Sequence, residues 1–124
     1  MAETTFVLKL SDGSDVMEGL EELVMEKDVK YGMLVSASGS IKSFELVSTQ
    51  SRGGMEKQKF EGPCDVNSIS GKLQLDKGKP LLNVRVSVTS TGFTQYTGQL
   101  LKAVASGSLE IGVRKVDMGK IIEA

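Results

Sequence analysis

The 124-residue sequence predicts one domain of mixed α and β structure, with a single principal helix and many strands. Three observations predict it. One stretch, about Asp15 to Lys27, repeats apolar residues at helical spacing. Much of the remaining chain alternates apolar and polar residues with the period of two that a strand requires. Glycine is abundant, at 14 residues, and proline scarce, at 2, which suits strands joined by tight turns.

The first strand signal is Phe6, Leu8 and Leu10 alternating with Val7 and Lys9. Ser11-Asp12-Gly13-Ser14 reads as a turn. Ser14 or Asp15 can cap the helix that follows, and Glu18 stands three residues after Asp15, as in a capping box. Val16, Leu20, Leu23 and Val24 form its apolar stripe, while Glu18, Glu21, Glu22 and Glu26 fall on the solvent side. Its acidic outer face repels phosphate and makes it a poor recognition helix for a DNA groove.

Strands dominate afterwards. Tyr31 to Ser38 is one, closing in the small-residue run Ser36-Ala37-Ser38-Gly39-Ser40, which reads as a tight turn; Ile41 to Thr49 is the next. Ser51 to Gly54 reads as a loop or hairpin tip. Met55 to Phe60 is a polar edge strand, its charges at Glu56, Lys57 and Lys59 suiting exposure. Glu61-Gly62-Pro63 ends it. Val66 to Leu75 is another strand, with a bulge expected at Gly71. Asp76 to Pro80 is a strong turn signal. Leu82, Val84, Val86 and Val88 then alternate with Asn83, Arg85, Ser87 and Thr89, the cleanest β pattern in the chain. Ser90-Thr91-Gly92 turns it. Thr94 to Leu101 leads into a last long strand, in which Leu109, Ile111 and Val113 alternate with Glu110, Gly112 and Arg114. Gly119 to Ala124 are expected to fray.

Composition sets limits on function. Hydrophobic residues make up 40% and charged residues 25%, the balance of a globular chain. Aromatics are few and tryptophan is absent, so Val, Leu, Ile and Met must build the core. With no histidine and one cysteine, Cys64, the chain has no internal disulfide and no histidine for a metal centre or a general base. The formal net charge is −1, and neither half of the chain is a basic arm. A nucleic-acid binder normally shows a basic stripe; none is visible here, although a fold or a trimer can gather scattered lysines. The first apolar run is short and broken by Lys9, unlike a signal peptide, and no run approaches a membrane span. The expected location is cytoplasmic, in a prokaryotic cell, and residues 1–124 are expected to form one domain.

The order of motifs resembles a known family. A strand Phe6-Val7-Leu8-Lys9-Leu10 leads through Gly13-Ser14-Asp15-Val16 into a helix. Leu34-Val35-Ser36-Ala37-Ser38-Gly39-Ser40-Ile41 follows, then Glu61-Gly62-Pro63 before Ile69-Ser70-Gly71. Gly78-Lys79-Pro80-Leu81-Leu82-Asn83-Val84 and Thr97-Gly98-Gln99-Leu100 complete the series. Together they resemble the PPC (plants and prokaryotes conserved) domain family over about residues 4–116. The resemblance implies an α+β fold: a mainly antiparallel, twisted β-sheet with one principal helix packed on it, similar to that of a zinc-dependent acetolactate decarboxylase. It also implies a homotrimer. In plant members an AT-hook carries the DNA contact and the PPC domain carries assembly. This sequence holds no AT-hook; Ser51-Arg52-Gly53-Gly54 lacks its second Arg and its Pro.

Many prokaryotic members carry histidines that look like a metal site. By that resemblance Leu81, Asn83 and Gln99 stand at the histidine positions. Leucine is no ligand, and carboxamide oxygens are weak partners for zinc. The expectation is a member without metal, cofactor or catalytic residues. Asn83, Arg85 and Gln99 are the candidate ligand-binding residues: polar walls of an intersubunit pocket for a small molecule, with Arg85 suited to a carboxylate or phosphate. The plainer alternative makes them outward strand residues or trimer contacts. Ser36 to Ser40 offers hydroxyls and backbone N–H groups, yet matches no phosphate-loop pattern. Cys64 has no base beside it, and Asp65 raises its pKa, so it reads as an inert thiol. Lys72, Lys77 and Lys79 cluster around one strand and turn. Met17, Met25, Met33 and Met55 read as core or subunit-contact filler. The leading expectation is a non-enzymatic homotrimeric assembly module to which DNA attaches only by family label. A small-molecule binder or weak enzyme using a metal-free intersubunit pocket is the alternative.

Overall fold

The computed structural model describes residues 3–49, 55–90 and 92–116. In chain order the elements are β1 (Glu3–Leu10), α1 (Val16–Glu26), β2 (Tyr31–Thr49), β3 (Met55–Phe60), β4 (Cys64–Asp76), β5 (Lys79–Thr89) and β6 (Gln95–Val116). The predicted hairpin tip at Ser51 to Gly54, Thr91, the side chain of Met55 and the terminal Gly119 to Ala124 lie outside the described residues.

Helix α1 begins where its sequence says it should. Asp15 is the N-cap, and its Oδ1 accepts a 2.9 Å hydrogen bond from the Glu18 N–H. This satisfies one of the free donors of the first turn. Val16, Leu20, Leu23 and Val24 are buried, and the glutamates face solvent.

All strand pairs are antiparallel, in the order β1-β6-β5-β4-β2-β3. An additional β6–β2 ladder joins β6 to β2, so β6, β5, β4 and β2 close on themselves. Inward residues Leu34, Ile41, Leu73, Val84, Val86, Val88, Leu109, Ile111 and Val113 pack together, and the helix stripe joins the same cluster. Phe44 is fully buried and stacks on Phe60 at 4.8 Å between ring centroids; Phe60 in turn touches Tyr96.

Two expectations are corrected. The run Ser36 to Ser40 is not a turn between strands. It lies within one 19-residue strand, β2, which pairs with β6 on both sides of the run. Register shifts at Leu34/Ser36 and Ser38/Ser40 bend β2 there, and Gly39 takes φ +132. Turns and bulges favour the same small residues, which is why the sequence alone reads as a turn. Gly71 is not a bulge against β5 either. The β4–β5 register runs unbroken through Gly71 and Val84, and the shift falls at Val66/Ser68. Glycine is needed at position 71 for another reason: φ is +142, and a β-carbon would run into the Asn83 carbonyl of the neighbouring strand. The turn at Lys77-Gly78 is as expected, both residues having positive φ, 52° and 78°.

Gly71→Ala is therefore expected to destabilise the fold by about 3 kcal/mol or more through strain and backbone collision. Urea unfolding of the variant checks this; a midpoint unchanged from the parent chain contradicts it.

Candidate polar face of the closed sheet

Period-two alternation divides β5 cleanly. Val84, Val86 and Val88 point into the core, while Leu81, Asn83 and Arg85 stand outward and exposed. The antiparallel register then fixes their neighbours. Asn83 faces Lys72 of β4. Arg85 lies between Ser70 of β4 and Gln99 of β6. Gln99 is half-buried and also faces Val47 of β2. The three polar residues singled out by sequence thus share one outward face: Arg85 and Gln99 are direct partners, and Asn83 is two positions along the same strand. A hydroxyl row continues it, with Thr97 Oγ1 donating to Ser87 Oγ at 3.3 Å.

Of the three lysines grouped by sequence, Lys72 joins this face, Lys77 lies in the turn, and Lys79 pairs with Asp76 in the ladder. The ion pairs among the described residues lie elsewhere: Lys9 with Glu110, Lys42 with Asp12, and Lys57 with Glu45. The side chains of Lys72 and Arg85 make no hydrogen bond or ion pair with any described residue.

The other candidates resolve into structural roles. Ser40 Oγ donates to Asp65 Oδ1 at 2.6 Å, which sets a carboxylate against the small-residue run and makes it hostile to anions. Asp12 is more than a solvated turn residue. Its Oδ1 accepts from the Gly107 N–H at 2.8 Å and from Lys42 Nζ at 3.0 Å, tying the β1–α1 turn to β6. Those bonds, the backbone one foremost, hold its carboxyl below the usual aspartate range. Cys64 is buried opposite Ile41, and burial, reinforced by the charge of Asp65, pushes its thiol up. Met17 packs against the core as expected, whereas Met25 is half exposed on the acidic helix face. Phe93 was not legible in the sequence. It is 91% exposed beyond the β5 end, with φ +66, and only the turn signal at Ser90 to Gly92 hints at a special conformation there. An enclosed apolar cavity among Val16, Ile69, Val86 and Ile111 measures about 10 Å³, room for at most one water.

A closed antiparallel sheet with one capped helix and a polar outward face defines the class, and the comparisons place it. The profile of the Plants and Prokaryotes Conserved (PCC) domain matches residues 1–117, and the chain belongs to that family, the PPC family of the motif series above. No curated protein matches the sequence. Among solved structures, a PPC protein from Pyrococcus horikoshii superimposes with a TM-score of 0.80 at 14% identity, covering 92% of this chain and 79% of its own. A metal-containing protein from Archaeoglobus fulgidus gives 0.78 at 25% identity, covering 90% and 79%. A candidate DNA-binding protein from Bacteroides thetaiotaomicron gives 0.81 at 16%, covering 91% and 79%.

The outward face of β5 and β6 offers a poor donor set for a metal ion. Leu81 has no donor atom, Asn83 and Gln99 offer neutral carboxamides, and the nearest charged side chains, Lys72 and Arg85, repel a cation. Among the described residues no three His, Cys, Asp or Glu side chains form a metal-sized cluster.

Two predictions follow from this chemistry. The folded-state pKa of Asp12 is depressed, so its stabilising bonds are fully present above the ordinary aspartate pKa. They are lost as pH falls below it through the folded value. Asp12→Asn should flatten the acid limb of a melting-temperature-against-pH profile; an unchanged limb rules this out. Cys64 should react with iodoacetamide at pH 8 far more slowly in the folded chain than in denaturant. Equal rates, followed by mass spectrometry, would show the thiol to be accessible.

Proposed function

We propose that this PPC-domain chain is a non-enzymatic assembly module that acts as a homotrimer. One observation carries the reading: Leu81 and Leu101 are 49% and 40% exposed, beside the polar rows of β5 and β6. Large apolar side chains around an outward sheet face gain by being covered with a second copy. The family resemblance supplies the number three. A catalytic role has little to draw on, since the thiol is suppressed and no histidine exists to move a proton. DNA binding, the role suggested for the Bacteroides relative and for one from Ralstonia eutropha, sits poorly with a net charge of −1 and an acidic helix face.

A second reading makes Asn83, Arg85 and Gln99 a metal-free site for a small molecule between subunits. The direct pairing of Arg85 with Gln99 favours it, because a guanidinium beside carboxamides can grip a polar ligand from several directions.

Light scattering during gel filtration tests the assembly reading. The expected mass is three times the 13.3 kDa protomer, and Leu81→Glu should shift it towards monomer. A monomeric parent chain would remove the proposal.

A further inference from the structure

The outward face of β4, β5 and β6 holds an arrangement of charge that assembly does not explain. Over Ser68 to Gln74 the outward residues of β4 are Ser68, Ser70, Lys72 and Gln74. Across from them on β5 stand Leu81, Asn83, Arg85 and Ser87, and beyond those on β6 stand Thr97 and Gln99. None of these is acidic. The nearest acids on these strands are Asp65 and Asp76, at the two ends of the β4–β5 ladder, opposite Thr89 and Lys79. Yet the chain carries more acids than bases, 16 against 15, and four of the acids crowd the exposed face of α1. Two cations, Lys72 and Arg85, are therefore gathered on one face without a carboxylate to neutralise either among the described residues.

The register gives this pair a shape. Lys72 and Asn83 form one cross-strand row; Ser70, Arg85 and Gln99 form the next. Neighbouring strands lie about 4.8 Å apart, and successive outward residues about 6.7 Å apart along a strand. Five donor side chains thus occupy a patch of roughly 10 by 7 Å. A lysine ammonium acts as a point charge, a guanidinium donates in a fork, and the hydroxyl and two carboxamides add neutral donors. We infer that Ser70, Lys72, Asn83, Arg85 and Gln99 form an anion site for phosphate oxygens, sized for one or two phosphate groups. The inference rests on the second reading of Asn83, Arg85 and Gln99, and adds Lys72, Ser70 and the chemical class of the ligand. Phosphate suits the array because its several oxygens each accept hydrogen bonds, so that donors on three strands can share it. All five residues come from one protomer.

Titration of the full-length, isotopically labelled chain with inorganic phosphate and then pyrophosphate, followed by amide NMR shifts, tests the assignment. Sodium chloride at matched ionic strength is the control. Saturable shifts centred on Ser70, Lys72, Asn83, Arg85 and Gln99 are expected. Lys72→Gln and Arg85→Gln should each weaken pyrophosphate about tenfold or more, with circular dichroism unchanged from the parent chain. Shifts that only track ionic strength, or saturable binding that survives both substitutions, would overturn the site. A neutral metabolite that raises the melting temperature through Asn83 and Gln99, with no response to pyrophosphate, would keep the pocket reading and sink the phosphate inference. A duplex DNA arm separates the two sources of phosphate. Retention of DNA by Lys72 and Arg85 without pyrophosphate binding would also overturn the small-oxyanion assignment.

Discussion

Strand β2 runs beside β6 from Gly32 to Val47, and this one ladder turns an open sheet into a closed one. Without it β2 would be paired only with β3 and β4, and the inward rows of β4, β5 and β6 would lack a facing wall. Closure has a steric cost that the sequence meets locally. Both strands must bend: two register shifts in β2 sit among Leu34 to Ser40, where the small side chains of Ser36, Ser38 and Gly39 tolerate them, and two more fall between Lys42 and Leu46, where Ser43 takes φ +47. At Gly112 of β6 a β-carbon would collide with the Ser36 side chain. The helix then packs Val16, Leu20, Leu23 and Val24 against the same core.

The same closure decides which residues meet on the outside. Because the strands are antiparallel and alternate in and out, every buried valine of β5 commits its neighbour to the outer surface. Val84 and Val86 inside put Asn83 and Arg85 outside, and the ladders with β4 and β6 bring them Lys72, Ser70 and Gln99. The polar face is thus a consequence of core formation, and its particular composition is what makes it informative. A solvated face ordinarily mixes both signs of charge. Here the outward positions Ser68 to Gln74 of β4, Leu81 to Ser87 of β5 and Thr97 to Gln99 of β6 hold two cations and no acid, while four glutamates line the exposed face of α1.

The same scaffold occurs in a metal-containing protein from Archaeoglobus fulgidus. In this chain the residues at the outward positions of β5 and β6 are a leucine and two carboxamides, flanked by cations. Outward side chains on such a scaffold can differ while the inward ones stay apolar.

Much of the fold could be read directly from residue order. The capped helix, its buried stripe, the edge strand at Met55 to Phe60, the Lys77-Gly78 turn and the alternation of β5 are local patterns, and local sterics and hydrogen bonding dictate them. The candidate residues Asn83, Arg85 and Gln99 were also legible, through alternation and the motif series. Sequence could not decide that Ser36 to Ser40 continues a strand, because bulges and turns draw on the same residues and only the long-range pairing with β6 distinguishes them. Nor could it show that Gly71 is required by the Asn83 carbonyl across the ladder. The meeting of Lys72 with Asn83, and of Arg85 with Gln99, likewise depends on register between strands distant in the chain. Register is a property of the assembled sheet, and the tertiary structure alone decides it. The absence of histidine was plain from the sequence alone; the cationic surroundings of Leu81, Asn83 and Gln99 emerged only when the strands were laid side by side.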